Sequence, residues 1–467
     1  MFYLNKLFKN LKSFKNKTAL ISDNDKKLTY TNLIKNIENF LVNLENKKKL
    51  VFLIGQNNFE TVIGYLSFIK KGYAVVFLDY KINDFFFKKL LLIYKPDYIF
   101  SEKNKINISN LYFTKIEYES YILYERKLKQ LTAINKDLML MMSTSGSTGS
   151  PKFVKQSYKN LETNTKSIIK YLKIKKTDIT ITSLPISYVY GLSIVNTHLM
   201  MGSTIIMTNK SMFENTFWNL IDKYKVSNFG AVPFQYNIIE KIFKRKVPSS
   251  IKYTTQAGGK MNQVLIQKII DIYKKNKIQF IQMYGAAEAT SRMSYLKWSE
   301  AHRKIGSIGK PIPNGKFYLI GNNKKKINKT YQKGELIFKG ENVCMGYSQN
   351  LNDLSLPDVN KGVLKTGDIA YKDNEGFYYI SGRKNRYTKV YGARINLSEL
   401  EDLLFKKGVD VIMKDAGENK IYSYFKNAKE FKKGIKYICK LTSINPGVFV
   451  GRVISKKNLT SNYKYKI

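Results

Sequence analysis

Short apolar runs alternate with longer amphipathic stretches along this chain. Residues 50–55 (LVFLIG) form an unbroken apolar run, which predicts a strand covered on both faces. Residues 58–71 place apolar side chains at helical spacing, and residues 74–79 (AVVFLD) are apolar again. Strand, helix and strand with short connections make a βαβ unit, which predicts a parallel sheet. Residues 96–100 add a strand. Ahead of this unit, residues 19–22 and 27–30 predict two short strands around an Asn/Asp turn, with a helix from about Thr31. Beyond it, residues 138–142 (LMLMM) predict a buried strand, residues 154–172 a helix, and residues 178–184 a strand ending at Pro185. Residues 203–207, 229–232 and 251–256 predict further strands, each followed by a turn or helix. No internal repeat or low-complexity linker interrupts the pattern.

Composition narrows the function classes. A chain of 467 residues holds two or three domains and an ample core. Two cysteines, Cys344 and Cys439, argue against a disulfide framework and for a reducing, cytoplasmic setting. With His198 and His302 as the only histidines, a Cys/His metal site is close to excluded. No run of about 20 apolar residues occurs, so no membrane span is expected. The opening stretch MFYLNKLFKNLKSFKNK lacks the apolar core and cleavage site of a secretory signal. Lysine and arginine number 80 against 35 acids, for a formal charge of +45. The lysines are spread along the chain rather than gathered into a patch. Lys, Asn, Ile, Tyr and Phe, all with AT-rich codons, are abundant together. Compositional drift therefore explains the charge better than a nucleic-acid partner, and none is expected. An acidic carrier protein is a further partner that such a charge would attract.

The densest chemistry follows the run at 138–142. Thr144-Ser145-Gly146-Ser147-Thr148-Gly149-Ser150-Pro151-Lys152 carries five hydroxyls, two glycines and a lysine. Glycines let successive N–H groups converge on one anion, hydroxyls add donors, and Lys152 adds a positive charge. This is a phosphate cradle. It is not a Walker loop, which needs glycine before the lysine and a hydroxyl after it; here Pro151 precedes and Phe153 follows. A flexible linker would not sit behind a buried strand and end in Pro-Lys.

This segment resembles the phosphate-binding signature of the adenylate-forming superfamily, which includes acyl-CoA synthetases, peptide-synthetase adenylation domains and luciferases. Further motifs occur in the family's order and spacing. Tyr284-Gly285-Ala286-Ala287-Glu288 resembles the family's Tyr-Gly-x-Thr-Glu. The resemblance implies that Tyr284 stacks on adenine and that Glu288 binds the magnesium on the ATP phosphates. Ala287 stands where the family has a threonine that touches the α-phosphate; Thr290 is a neighbour that could replace its hydroxyl. Gly258 and Gly259 match the turn that runs along adenine. Asp368, within Lys365-Thr366-Gly367-Asp368, would accept the ribose hydroxyls, and Arg383 matches the arginine near ribose and phosphate. Tyr188, Tyr190, Gly191, Phe229 and Gly230 fall in segments that wall the acid pocket. Tyr188 takes the place of a common histidine there, and the aspartate that pairs an amino acid's ammonium is missing between Leu184 and Asn196. A neutral wall favours an acid without an α-amino group. Tyr188 and Tyr190 read equally well as core aromatics. Asn385 falls at the family's hinge, Lys389 and Gly392 at its thiol tunnel. Lys464 matches the catalytic lysine of the closing motif, although Tyr463 replaces its glycine.

The resemblance implies an α/β fold: a large N-terminal domain of two α/β sheet subdomains plus a β-barrel-like section, residues 1–384, then a small mobile α+β domain, residues 385–467. It implies activation of a carboxylic acid by ATP and magnesium to an acyl-adenylate, with Lys152, Glu288 and Lys464 as catalytic residues. Transfer to coenzyme A, or to a phosphopantetheinyl carrier, would follow. Two other readings stay open: an enzyme that adenylates an amino acid or loads a carrier protein, and a degenerate member that binds nucleotide without turnover.

Overall fold

The computed structural model describes residues 2–108, 110–128, 133–143, 152–384, 386–390, 393–417, 419–442 and 444–454. Two large mixed sheets carry the first 300 residues or so. The first runs in the order Gly346–Ser348, Phe153–Ser157, Leu138–Ser143, Ala74–Asp79, Leu50–Gly55, Tyr98–Glu102, Tyr121–Arg126, Tyr112–Tyr118. Its centre is parallel, as the βαβ pattern predicts: Leu50–Gly55 pairs in parallel with both Ala74–Asp79 and Tyr98–Glu102. All six residues of Leu50–Gly55 are buried, because helices cover both faces. The helix Phe59–Lys71 begins where the Asn58 side chain accepts from the Thr61 N–H, and ends at Gly72, whose φ of 88° a side chain would strain.

The second sheet runs Lys310–Pro311, Ser294–Leu296, Gln279–Tyr284, Tyr253–Gln256, Asn228–Ala231, Ile179–Ile181, Thr204–Met207, Thr18–Ser22, Lys27–Thr29. It is parallel from Thr18–Ser22 to Gln279–Tyr284 and antiparallel at its edges. The basic opening stretch is a helix, Phe2–Ser13, whose Leu7 and Leu11 enter the core between the two sheets.

Two expectations need correction. Residues 153–157 are a strand, and the helix spans Tyr158–Leu172. Antiparallel pairing to Leu138–Ser143 claims the first five residues, and a capping box fixes the start: Asn160 N–H donates to Ser157 Oγ at 3.2 Å, and Ser157 N–H to Asn160 Oδ1 at 2.8 Å. The barrel-like section is an open antiparallel sheet, Lys326–Ile327, Lys316–Ile320, Gly334–Lys339, Val363–Lys372, Tyr378–Arg383, whose outer strands do not pair with each other. A short backbone bridge between Gly309 and Tyr378 joins it to the edge of the second sheet, and ion pairs reinforce the join: Arg303 meets Glu375, and Lys304 meets Asp373 and Glu375, at 2.6–2.7 Å.

The chain ends in a smaller α+β unit with its own apolar cluster, centred on Leu400, Leu404, Met413, Ile421 and Ile438. It comprises the hairpin Tyr387–Val390 and Ala393–Asn396, the helices Leu397–Lys406 and Ala428–Thr442, and the three-stranded sheet Val411–Gly417, Lys420–Phe425, Phe449–Val453.

Candidate active site

Strand ends and turns bring the motif residues to one place. Lys152 precedes Phe153–Ser157, and Gly346–Ser348 lies antiparallel beside that strand with Tyr347 opposite Val154. Residues two apart share a face, so Tyr347 stands on the side of Lys152. The Lys152 Nζ lies 3.5 Å from the centre of the Tyr347 ring. The Tyr347 hydroxyl in turn donates to Glu288 Oε1 at 2.9 Å, leaving Glu288 Oε2 without a hydrogen-bond donor among the described residues. Burial and the neighbouring Glu288 carboxylate push the Tyr347 phenol up, so it stays a proton donor.

Glu288 sits in the short 3-10 helix Ala287–Ala289, four residues beyond the end of the strand Gln279–Tyr284. The chain can fold back there only because residue 285 is glycine: a Cβ would lie 1.8 Å from the Ser291 carbonyl oxygen. Backbone bonds hold the turn. The Cys344 N–H donates to the Glu288 carbonyl at 2.8 Å, and the Gln156 side-chain amide donates to the Ala287 carbonyl at 3.1 Å. The Thr290 hydroxyl donates to the Asn342 carbonyl at 2.7 Å and is buried. Its single proton is spent, so it does not stand in for the hydroxyl missing at Ala287.

Tyr284 points its hydroxyl at Asp368 Oδ2, and Arg383 Nε donates to Asp368 Oδ1 at 2.7 Å. Asp368 and Arg383 face each other across the hairpin of Val363–Lys372 and Tyr378–Arg383. Gly367, at φ 72°, turns the backbone just before Asp368, whose N–H is held by Thr366 Oγ1. Asp368 holds the Arg383 guanidinium above its ordinary value, with smaller contributions from Tyr284 and Glu288. Burial first, then Asp368, keeps Tyr284 protonated. Lys152, Tyr347 and Glu288 thus form one linked group and Tyr284, Asp368 and Arg383 another, and the Glu288 carboxylate is near enough to the second to act on the Arg383 charge.

The residues expected to wall an acid pocket make a further group. Tyr188 reaches over the turn after Tyr253–Gln256, where a Cβ on Gly258 would lie 2.8 Å from its hydroxyl. Gly258 has φ 87°, and Gln256 donates its side-chain amide to the Gly259 carbonyl at 2.9 Å. Tyr190 is 1% exposed and bonds the Thr255 carbonyl at 2.8 Å. Gly191 lets the helix Val189–Met201 press on Pro185, and Gly230 lets Tyr190 and Ile194 approach the strand bearing Phe229. Tyr190 is thus a core aromatic that also lines a cavity with Phe229 and Gly230. Thr144 to Pro151, Asn385, Gly392 and Tyr463 to Lys464 lie outside the described residues. Lys389 is on the strand Tyr387–Val390. Tyr347 and Arg292 were not singled out by the sequence. Tyr347 reaches the site only through strand pairing, whereas Arg292, buried over the Tyr190 ring at 3.9 Å, follows Glu288 closely in sequence.

A model of the AMP-binding enzyme family matches residues 7–348. The chain belongs to that family. Among relatives of this AMP-binding enzyme is a 2-succinylbenzoate–CoA ligase from Listeria innocua serovar 6a, 25% identical over 367 residues, or 77% of this chain and 73% of that one. Alignments to other acid–CoA ligases span from 51% to 78% of their lengths. Two structures of O-succinylbenzoate coenzyme A synthetase from Bacillus subtilis share its fold at 22% identity and cover 99% of it. The one with AMP has a TM-score of 0.76 and is matched over 97% of its length. The one with the acyl-adenylate intermediate has a TM-score of 0.75 and is matched over 96%. The likeness to both is one of fold.

Proposed function

We propose that this AMP-binding enzyme is an acid–thiol ligase that uses ATP to turn a carboxylic acid into an acyl-adenylate, releasing pyrophosphate, and then passes the acyl group to coenzyme A. The observation that carries this reading is the convergence of Lys152, Glu288, Tyr284, Asp368 and Arg383 beside an aromatic pocket. A carboxylate is a poor electrophile; joined to the α-phosphate it becomes a mixed anhydride that a thiol can open. The protein's part is positioning and charge stabilisation. Lys152 leaves the Tyr347 ring for the leaving phosphates. The free oxygen of Glu288 suits magnesium, a hard cation that takes one or two carboxylates together with substrate phosphates. Tyr284 offers adenine a ring face, and Asp368 trades one of its present donors for the ribose hydroxyls while Arg383 stays close.

Lys464 stabilises the crowded negative charge as carboxylate meets α-phosphate. Residues 385–467 form the mobile unit, turning about Asn385 so that Lys464 withdraws and the segment of Lys389 and Gly392 comes up to admit the thiol. The absence of an acidic side chain facing the pocket among the described residues disfavours an amino-acid substrate. An acidic acyl carrier protein is the alternative acceptor, and a cytoplasmic setting agrees with two unpaired cysteines.

ATP–pyrophosphate exchange over a panel of carboxylic and amino acids tests the reading. Exchange with carboxylic acids alone is expected; exchange with amino acids alone would replace it. Lys464→Ala should abolish exchange yet spare thioester formation from a supplied acyl-adenylate. A variant that keeps exchange would remove Lys464 from the mechanism.

A further inference from the structure

Lys152 and Glu288 carry opposite charges and meet the same phenol. The Lys152 Nζ stands 3.5 Å from the centre of the Tyr347 ring, and the Tyr347 hydroxyl donates to Glu288 Oε1 at 2.9 Å. Among the described residues neither charge stands in an ion pair, although both are only half-buried. In a chain with 80 basic residues to 35 acids, a carboxylate so placed would ordinarily find a lysine. Here a neutral donor takes one carboxylate oxygen and an aromatic face takes the ammonium, and neither charge cancels the other.

The mount of that ring is rigid. The Cys344 N–H donates to the Glu288 carbonyl and the Met345 N–H to the Lys155 carbonyl, both at 2.8 Å. Gly346 follows at φ 128°, where a Cβ would lie 2.7 Å from Val359 Cγ2. Lys155, 1% exposed, runs its Nζ to the carbonyls of Asp353 and Leu356 at 2.7 and 3.1 Å, which ties its strand to the loop beyond Tyr347. On the far side the Ser348 hydroxyl donates to the Tyr94 hydroxyl at 3.2 Å. The segment bearing Tyr347 is thus bonded both to the turn of Glu288 and to the strand that follows Lys152.

We propose that Tyr347 is a positioning residue that keeps the phosphate lysine and the magnesium carboxylate from pairing with each other, so that both stand ready for the nucleotide. This rests on the ligase reading above for the roles of Lys152 and Glu288. Without the ring, lysine and carboxylate would close on each other, and ATP would have to break that pair each time it bound. With the ring in place, Lys152 gives up only a stacking contact. The hydroxyl adds a second effect: it holds Oε1 and leaves Oε2 as the oxygen open to the cation. A hydrogen bond to a ligating carboxylate is a general means of orienting it.

Calorimetric titration with a non-hydrolysable ATP analogue, in magnesium and in a chelator and with no acid present, tests this. Tyr347→Phe keeps the ring and loses the hydroxyl. Its affinity in chelator should stay within about twofold of the wild type's, while the tightening brought by magnesium should shrink about tenfold, the scale on which losing a bond to a ligating group weakens metal binding. Tyr347→Leu loses the ring as well, so its affinity in chelator should fall about fivefold, the upper range for an exposed ion pair. Adding Glu288→Gln to Tyr347→Leu removes the pair and should restore that affinity. Three results would each overturn the proposal: a Tyr347→Phe that answers magnesium as the wild type does, a Tyr347→Leu with wild-type affinity, or a loss in Tyr347→Leu that Glu288→Gln does not repair, which marks a structural defect. If no acid supports pyrophosphate exchange while these affinities behave as stated, the ligase reading falls and Tyr347 keeps its role. A wild type that binds no analogue removes both.

Discussion

Ala287 is the residue at which this chain departs most consequentially from the pattern it otherwise follows. Its methyl group can donate nothing to an α-phosphate, and the nearby Thr290 hydroxyl is committed to the Asn342 carbonyl. The turn itself is intact, held by Gln156, Cys344 and the glycine at 285. Only the donor is missing. Ala287→Thr should therefore raise the rate of pyrophosphate exchange by about tenfold, equivalent to ~1.4 kcal/mol of transition-state stabilisation. The measurement is exchange at saturating ATP and acid, alongside a melting curve. An unchanged rate in a normally stable variant would mean that other donors already serve the α-phosphate. The residues that the sequence singled out, Lys152, Glu288, Asp368 and Arg383, are those whose chemistry is unusual where they stand: a lysine behind hydroxyls and glycines, or an acid after Tyr-Gly. Tyr347 has no such local mark. It is one tyrosine among 34, and its place between Lys152 and Glu288 comes from pairing with a strand nearly 200 residues earlier.

Elements were legible where burial alone set their pattern. The run LVFLIG could only be a covered strand, and it lies at the centre of a parallel array. Residues 153–157 have no comparable signature; pairing with Leu138–Ser143 decides their state, and the Ser157–Asn160 box only then starts the helix. Tertiary pairing likewise decided the five-stranded sheet, which stays open and is tied down by a backbone bridge at Tyr378 and by charge. In that tie Glu375 takes both Arg303 and Lys304 at 2.6 Å. Hydrogen bonds from Arg303, then Lys304, draw its carboxyl down from 4.5 to about 2. A carboxyl whose folded value is depressed stabilises the fold above its unfolded value, and that contribution is lost as pH falls through the folded one. The stability difference between wild type and Glu375→Gln should thus be full above about pH 4.5 and vanish towards pH 2, read from denaturant midpoints at successive pH values. A difference independent of pH across that window would show that the anchor is not electrostatic.

At the scale of the whole molecule the excess of 45 positive charges has to be set against what the acids already do. Several ion pairs among the described residues are exposed lysine–carboxylate contacts such as Lys103–Glu117, Lys159–Glu341 and Lys223–Asp25, each worth little by itself. They consume acids but leave most lysines unmatched, because lysine and arginine outnumber acids by more than two to one. The outer field is therefore positive overall. The cavity lined by Tyr190 and Phe229, in the segments proposed to hold the acid, is by contrast buried, where salt screens less. These two environments should separate the substrates by their response to ionic strength. A phosphate-bearing acceptor such as coenzyme A approaches through the exposed field, whose reach shrinks from about 30 Å at 0.01 M to about 8 Å at 0.15 M salt. Its KM should climb several-fold between those conditions, while the KM of the carboxylic acid, set by buried contacts, should hardly change. Parallel responses of the two would mean that the surface charge has no part in gathering the acceptor, and that drift in composition is the whole account of it.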